Sequence, residues 1–168
     1  NKAETEEYNG TSWSEQNDAS TARRGTAGAG TQTAAFAAGG LTTTSVANTE
    51  EYDGTSWTAG GNINTTRNSA YGTGTLTAGL IASGTGPANA LSLTEEYNGT
   101  AWTESGDMNT ARRQTSASGS QTTALYAGGS PGQLDNCENY DGTSWKTTAS
   151  ITTARGYLAG LGGAGSST

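Results

Sequence analysis

Four tryptophans stand at Trp13, Trp57, Trp102 and Trp145, spaced 44, 45 and 43 residues apart, and each closes the same eight-residue phrase. The phrase runs Glu6-Glu7-Tyr8-Asn9-Gly10-Thr11-Ser12-Trp13. It returns at 50–57, 95–102 and 138–145, with Asp53 and Asp141 in place of Asn, Ala101 in place of Ser and Asn139 in place of the second Glu. A period of this length marks an array of equivalent supersecondary units. Such units bury their faces against one another, so one irregular core is excluded as the organising principle.

Other positions keep the same phase. Ten residues after each Trp comes an arginine, Arg23, Arg67, Arg112 or Arg155, preceded by Thr-Ala or Thr-Thr. Seven residues further stand Gly30, Gly74, Gly119 and Gly162, and sixteen residues after the first three arginines come Gly39-Gly40, Ser83-Gly84 and Gly128-Gly129. One interval changes: from the second glycine of each pair to the next Tyr (Tyr52, Tyr97, Tyr140) it is 12, 13 and 11 residues. Length variation confined to one stretch marks surface loops, here 41–49, 85–94 and 130–136. The chain thus reads as a single domain, 1–168, with units at about 1–22 (partial), 23–66, 67–111, 112–154 and 155–168 (partial).

Composition decides what each unit is made of. Only 31% of residues are hydrophobic and 14% charged, and Leu, Ile, Val and Phe together number 14 against 26 Gly. No stretch repeats large aliphatics at helical spacing, which excludes a helical bundle, and no apolar run approaches membrane-spanning length. Residues 25–31 and 33–38 read as two short strands of small residues around a Gly-Thr-Gln-Thr turn. A third strand at 48–52, a tight Asp53-Gly54 turn of type I′ and a fourth strand through Trp57 complete the unit. Four short antiparallel strands cannot bury both faces alone, so the sheets stack. The indoles supply the missing bulk: each buried Trp removes about 200 Å² from water, roughly 5 kcal/mol gross.

These residues resemble the kelch repeat of β-propellers. The resemblance is carried by Arg23, Gly39-Gly40, Tyr52 and Trp57, then Arg67, Gly84, Tyr97 and Trp102, then Arg112, Gly128-Gly129, Tyr140 and Trp145, with Tyr8, Trp13 and Arg155 in the partial units. It implies an all-β, kelch-like β-propeller of four-stranded antiparallel blades, about four repeats of about 44 residues. The wording of the Thr-Glu-Glu-Tyr-(Asn/Asp)-Gly-Thr-Ser-Trp and Asn-Thr-Ala-Arg runs is similar to kelch-like repeats in virion structural proteins of marine tailed phages, cyanophages among them. Ser83 and Asn139 depart from the pattern. The chain also opens at a third strand and ends before a last glycine pair, and Gly162-Gly163 does not replace that pair, because Gly162 aligns with Gly30, Gly74 and Gly119. The expectation is a longer chain, or a neighbouring subunit of a homo-oligomer, that completes the last blade.

The absence of histidine removes a Ser-His-Asp triad and His-based metal sites. The doublets Glu6-Glu7, Glu50-Glu51 and Glu95-Glu96 do not frame one glycosidic bond, since adjacent strand residues point to opposite faces. The recurring arginines are expected to pair with Glu of the same or the next unit, Arg67 and Arg112 acting as ties between units. The glycine-rich runs lack the Lys-Ser/Thr ending of a phosphate loop. Asp53, Asp135 and Asp141 form no spaced calcium loop. Cys137 stands where the other units have Thr5, Thr49 and Thr94, a buried or neutral replacement. A net charge of −7 argues against nucleic acid as partner.

Binding is expected in the variable loops, with Thr43, Thr44, Asn89, Gln133, Asp135 and Asn136 as candidate contacts. The sequence therefore points to a non-enzymatic structural or attachment module without cofactor or metal, presenting polar loops to host-surface glycan or protein or to other virion proteins. A secreted bacterial carbohydrate- or protein-binding propeller is the other reading.

Overall fold

The structure is a computed structural model described over residues 1–159, so the readings made on Gly162 and Gly163 lie outside the described residues. Two strands come first, β1 (Thr5–Tyr8) and β2 (Trp13–Gln16), paired antiparallel. Three four-stranded antiparallel sheets follow, each a meander in chain order. The first holds β3 (Ala27–Thr31), β4 (Ala34–Ala38), β5 (Thr49–Tyr52) and β6 (Trp57–Ala59). The second holds β7 (Tyr71–Thr75), β8 (Ala78–Ala82), β9 (Thr94–Tyr97) and β10 (Trp102–Ser105). The third holds β11 (Ser116–Gly119), β12 (Ala124–Gly129), β13 (Leu134–Tyr140) and β14 (Trp145–Thr148). The protein is all-β, and its sheets recur at the period of the tryptophans.

Register is the same in every unit: Tyr8 lies opposite Trp13, Tyr52 opposite Trp57, Tyr97 opposite Trp102 and Tyr140 opposite Trp145. Side chains alternate along a strand, so Tyr and Trp share one face of the outer strand pair while the residue before each Tyr takes the other. The Asp-Gly turn differs from the expected type I′, which needs positive φ at both residues. Only Gly54 has it, at +94°, and the turn closes through the Asp53 N–H on the Ser56 carbonyl. The cause is the Asp53 carboxylate, whose Oδ1 accepts the amides of Thr55 and Ser56 at 2.8 Å each and so holds the aspartate outside the left-handed region.

The small residues of β3, β7 and β11 have a steric reason. β3 packs beside β7 and β7 beside β11, at backbone distance. A Cβ on Gly72 would sit 2.9 Å from the Gly28 carbonyl oxygen. Large side chains belong instead between the sheets. Phe36 of the first sheet meets Trp102 of the second edge-on, with centroids 5.3 Å apart, among Ile63, Ile81 and Tyr97. Leu80, Met108, Tyr126, Tyr140 and Trp145 fill the next interval.

Trp102 and Trp145 are buried, and Trp57 is half-buried. Trp13 is not an anchor of this kind: it is 65% exposed, and Tyr8 beside it 47%. Among the described residues no further sheet covers that face of β1 and β2, which is where the other tryptophans find their partners.

Candidate functional site

The residues singled out by the repeat gather into one arrangement, built three times. In each four-stranded sheet the arginine just before the first strand turns its guanidinium into the sheet it leads. Arg23 pairs with Glu50 at 3.1 Å, Arg67 with Glu95, and Arg112 with Glu138 at 2.5 Å, and all six side chains are almost fully buried. The guanidinium also donates to the carbonyl before the third strand: Asn48 for Arg23, Leu93 for Arg67 and Asn136 for Arg112. The arginine's own carbonyl accepts from the preceding sheet, Gly40 N–H to Arg67 at 2.8 Å and Gly84 N–H to Arg112 at 2.9 Å. The second pair of each Gly-Gly or Ser-Gly motif is thereby fixed. Burial pushes the guanidinium of each of the three arginines down from its ordinary value, and the facing glutamate opposes that shift.

Glu95 illustrates what the carboxylate can do. Its Oε2 accepts the Asn64 amide at 2.7 Å and the Asn64 Nδ2 at 2.9 Å, while Oε1 accepts Thr65 N–H and Arg67. Glu138 has the same partners in Asn109, Thr110 and Arg112. An anion with this many donors is a bonded strut with no lone pair directed at a substrate, so general acid or base work is closed to it. Sequence reasoning noted the Asn-Thr-Ala-Arg run only as wording. Its asparagine is the cap of this carboxylate.

The second member of each doublet serves the junction between sheets. Tyr52 OH donates to Glu7, Tyr97 OH to Glu51 and Tyr140 OH to Glu96. Alongside, the indole N–H of Trp57 donates to Thr5 Oγ1, that of Trp102 to Thr49 and that of Trp145 to Thr94, each at 2.9 Å. Burial first, and the neighbouring carboxylate second, push the hydroxyls of Tyr52 and Tyr97 up to about 12, and Tyr140 likewise to about 12. Every donor sits on one sheet and every acceptor on the sheet before it. Cys137 and Asn139 occupy the acceptor positions on the third sheet, Cys137 buried and Asn139 exposed.

The glycine pairs lie where each second strand ends. Gly39, Gly40, Gly84, Gly128 and Gly129 all have positive φ, and Ser83 keeps the same left-handed shape at +68°. Arg155 differs from the other arginines: it is exposed and its Nε donates to the Thr153 carbonyl, although its own carbonyl still accepts from Gly129.

The loop candidates divide. Thr43, Thr44, Asn89 and Gln133 are exposed loop positions. Asp135 and Asn136 are not in the loop: β13 starts at Leu134, so the third loop ends at Gln133, after a cis Ser130-Pro131 bond. The physical reason is pairing at both edges. Asp135 accepts Ile151 N–H through its carbonyl, and Asn136 donates from Nδ2 to Thr110 Oγ1 and accepts Arg112. The loop bases are pinned by bridges from Arg24 to Leu41, Asn68 to Thr85 and Arg113 to Ser130. Among the described residues no three acidic or thiol side chains converge on one point. No family model matches the chain, and no curated protein matches it.

Proposed function

We propose that the sheets are blades of a kelch-like β-propeller and that the protein is a non-enzymatic structural or attachment module. The observation that carries this reading is the engagement of the three buried Arg-Glu pairs and of the buried tyrosines and tryptophans in holding sheet to sheet. A catalytic centre needs one constellation unlike the rest, and here the same constellation recurs. Chemical variety lies at the loops, where Thr43, Thr44, Asn89 and Gln133 present uncharged polar groups to solvent. A rigid body with such loops acts by presentation, and weak contacts gain strength when many copies are displayed together. The similarity of the repeat wording to virion proteins of marine tailed phages supports a place on a particle, in tail, fibre or capsid decoration, facing a host surface or a neighbouring virion protein.

The test is particle composition. The chain is expected to co-purify with intact virions at fixed stoichiometry and to show no turnover of sugar substrates. Its absence from particles together with glycan binding by the isolated chain would transfer it to the secreted, carbohydrate-binding class, and sugar turnover would overturn the non-enzymatic reading.

A further inference from the structure

The outer pair β1–β2 covers only half of the face it packs on. In the second and third sheets the third strand has a neighbour on each side; β1 has only β2 among the described residues. In an antiparallel ladder alternate residues bond to opposite sides. Asn9 N–H bonds Ser12 across the turn, so Glu7 faces β2, and the N–H groups of Glu6 and Tyr8 face the free edge. Beside that edge lies a groove of about 800 Å³ lined by Gly28, Gly30, Ala35, Ala37 and Trp57.

The second sheet shows what occupies the equivalent place. There Phe36, carried by β4 of the preceding sheet, lies so close over Gly79 that an added Cβ would come within 2.5 Å of its ring, and it packs edge-on against Trp102. Ala35 and Trp57 are the matching positions of the groove. A second marker is independent of the groove. Gln121 Nε2 bridges two strands by donating to the carbonyls of Gly79 and Tyr97, residues that pair across β8 and β9. Gln32, at the same position of the first sheet, reaches only Tyr8 O, at 3.5 Å.

We propose that the free edge of β1 and the adjoining groove form a strand-complementation site for a partner protein. The partner supplies an extended, uncharged segment with one large apolar side chain flanked by small residues, the chemistry of β4 (Ala34–Ala38). It runs antiparallel to β1 with the apolar residue opposite Glu7, as Phe36 lies opposite Glu51, and so enters the groove between Ala35 and Trp57. The carbonyl opposite Tyr8 takes the second N–H of Gln32. Backbone pairing gives the affinity and the apolar pocket the selection. The inference continues the observed junctions and stands apart from the virion setting.

The probe is a synthetic peptide of residues 31–40, Thr-Gln-Thr-Ala-Ala-Phe-Ala-Ala-Gly-Gly, added to the full chain. Amide exchange is expected to slow at Glu6 and Tyr8 but not at Glu7, and the Trp57 indole N–H resonance is expected to shift in a saturable way. A peptide carrying Phe36→Asp should bind at least about tenfold more weakly. Gln32→Ala in the protein should weaken the native peptide about fivefold, one lost hydrogen bond. Unchanged exchange at saturating peptide would overturn the site. So would equal binding of the Phe36→Asp peptide, or protection of Glu6 and Tyr8 in the free chain, which would mean that the chain itself already fills the edge.

Discussion

Ser83 is the one position in the glycine pairs where a side chain sits in a left-handed backbone, at φ +68° against +64° for Gly39 and +61° for Gly128. It is also fully buried, and its hydroxyl has no hydrogen-bond partner. A non-glycine residue in this region costs about 1 kcal/mol, and an unpaired buried hydroxyl adds to that. Glycine gives some of the gain back through a freer unfolded chain, about 0.5 kcal/mol. Ser83→Gly is therefore expected to stabilise the protein by about 1 kcal/mol, read as a higher urea midpoint with unchanged slope. A lower midpoint would show that the serine contributes something its contacts do not reveal.

At the scale of the strand and its junctions, the tyrosines set an alkaline limit. Their folded-state values, about 12 for Tyr52, Tyr97 and Tyr140, lie above the ordinary 10.0 of a phenol. The folded protein holds these protons more tightly than the unfolded chain, so the stabilisation is whole below pH 10 and is lost as the pH climbs through 12. Ultraviolet titration should show these three ionising late and together with unfolding. A reversible ionisation near 10 for all seven tyrosines, with the fold intact, would contradict the junction geometry.

The same elements show how far residues alone reach. The hairpin of Tyr and Trp, the split of the Glu doublet between two faces and the small inner strand were all legible, because each follows from a two-residue period or a turn residue. The form of the turn was not, since a carboxylate accepting two amides competes with the αL preference on equal local terms. Nor was the start of β13, where Asp135 and Asn136 look like loop but are held by Ile151 and Arg112 from other parts of the unit. The exposure of Trp13 was hidden for the opposite reason: its local sequence matches the other three tryptophans, and only the neighbouring sheet distinguishes them.

Across the whole molecule, the arginines connect scales. Arg67 holds its own sheet through Glu95 and the previous one through its carbonyl. Removing the guanidinium leaves Glu95 charged in a place without water, a loss of about 3–5 kcal/mol. In a stack of coupled sheets that loss spreads to both neighbours. Arg67→Ala and Arg112→Ala are expected to lower the thermal midpoint by several degrees, whereas Arg155→Ala, at an exposed side chain, should leave it within about 1–2 degrees. Calorimetry on the three variants decides it, and an unmoved midpoint for Arg67→Ala would remove the ties from the account.

The one-way arrangement of donors has a last consequence. An indole N–H gives a hydrogen bond and cannot receive one. Two copies meeting symmetrically through their Trp13 ends would set giver against giver, so that end disfavours a two-fold dimer. Growth from it, or closure upon it, has a built-in sense of direction, as a zipper has.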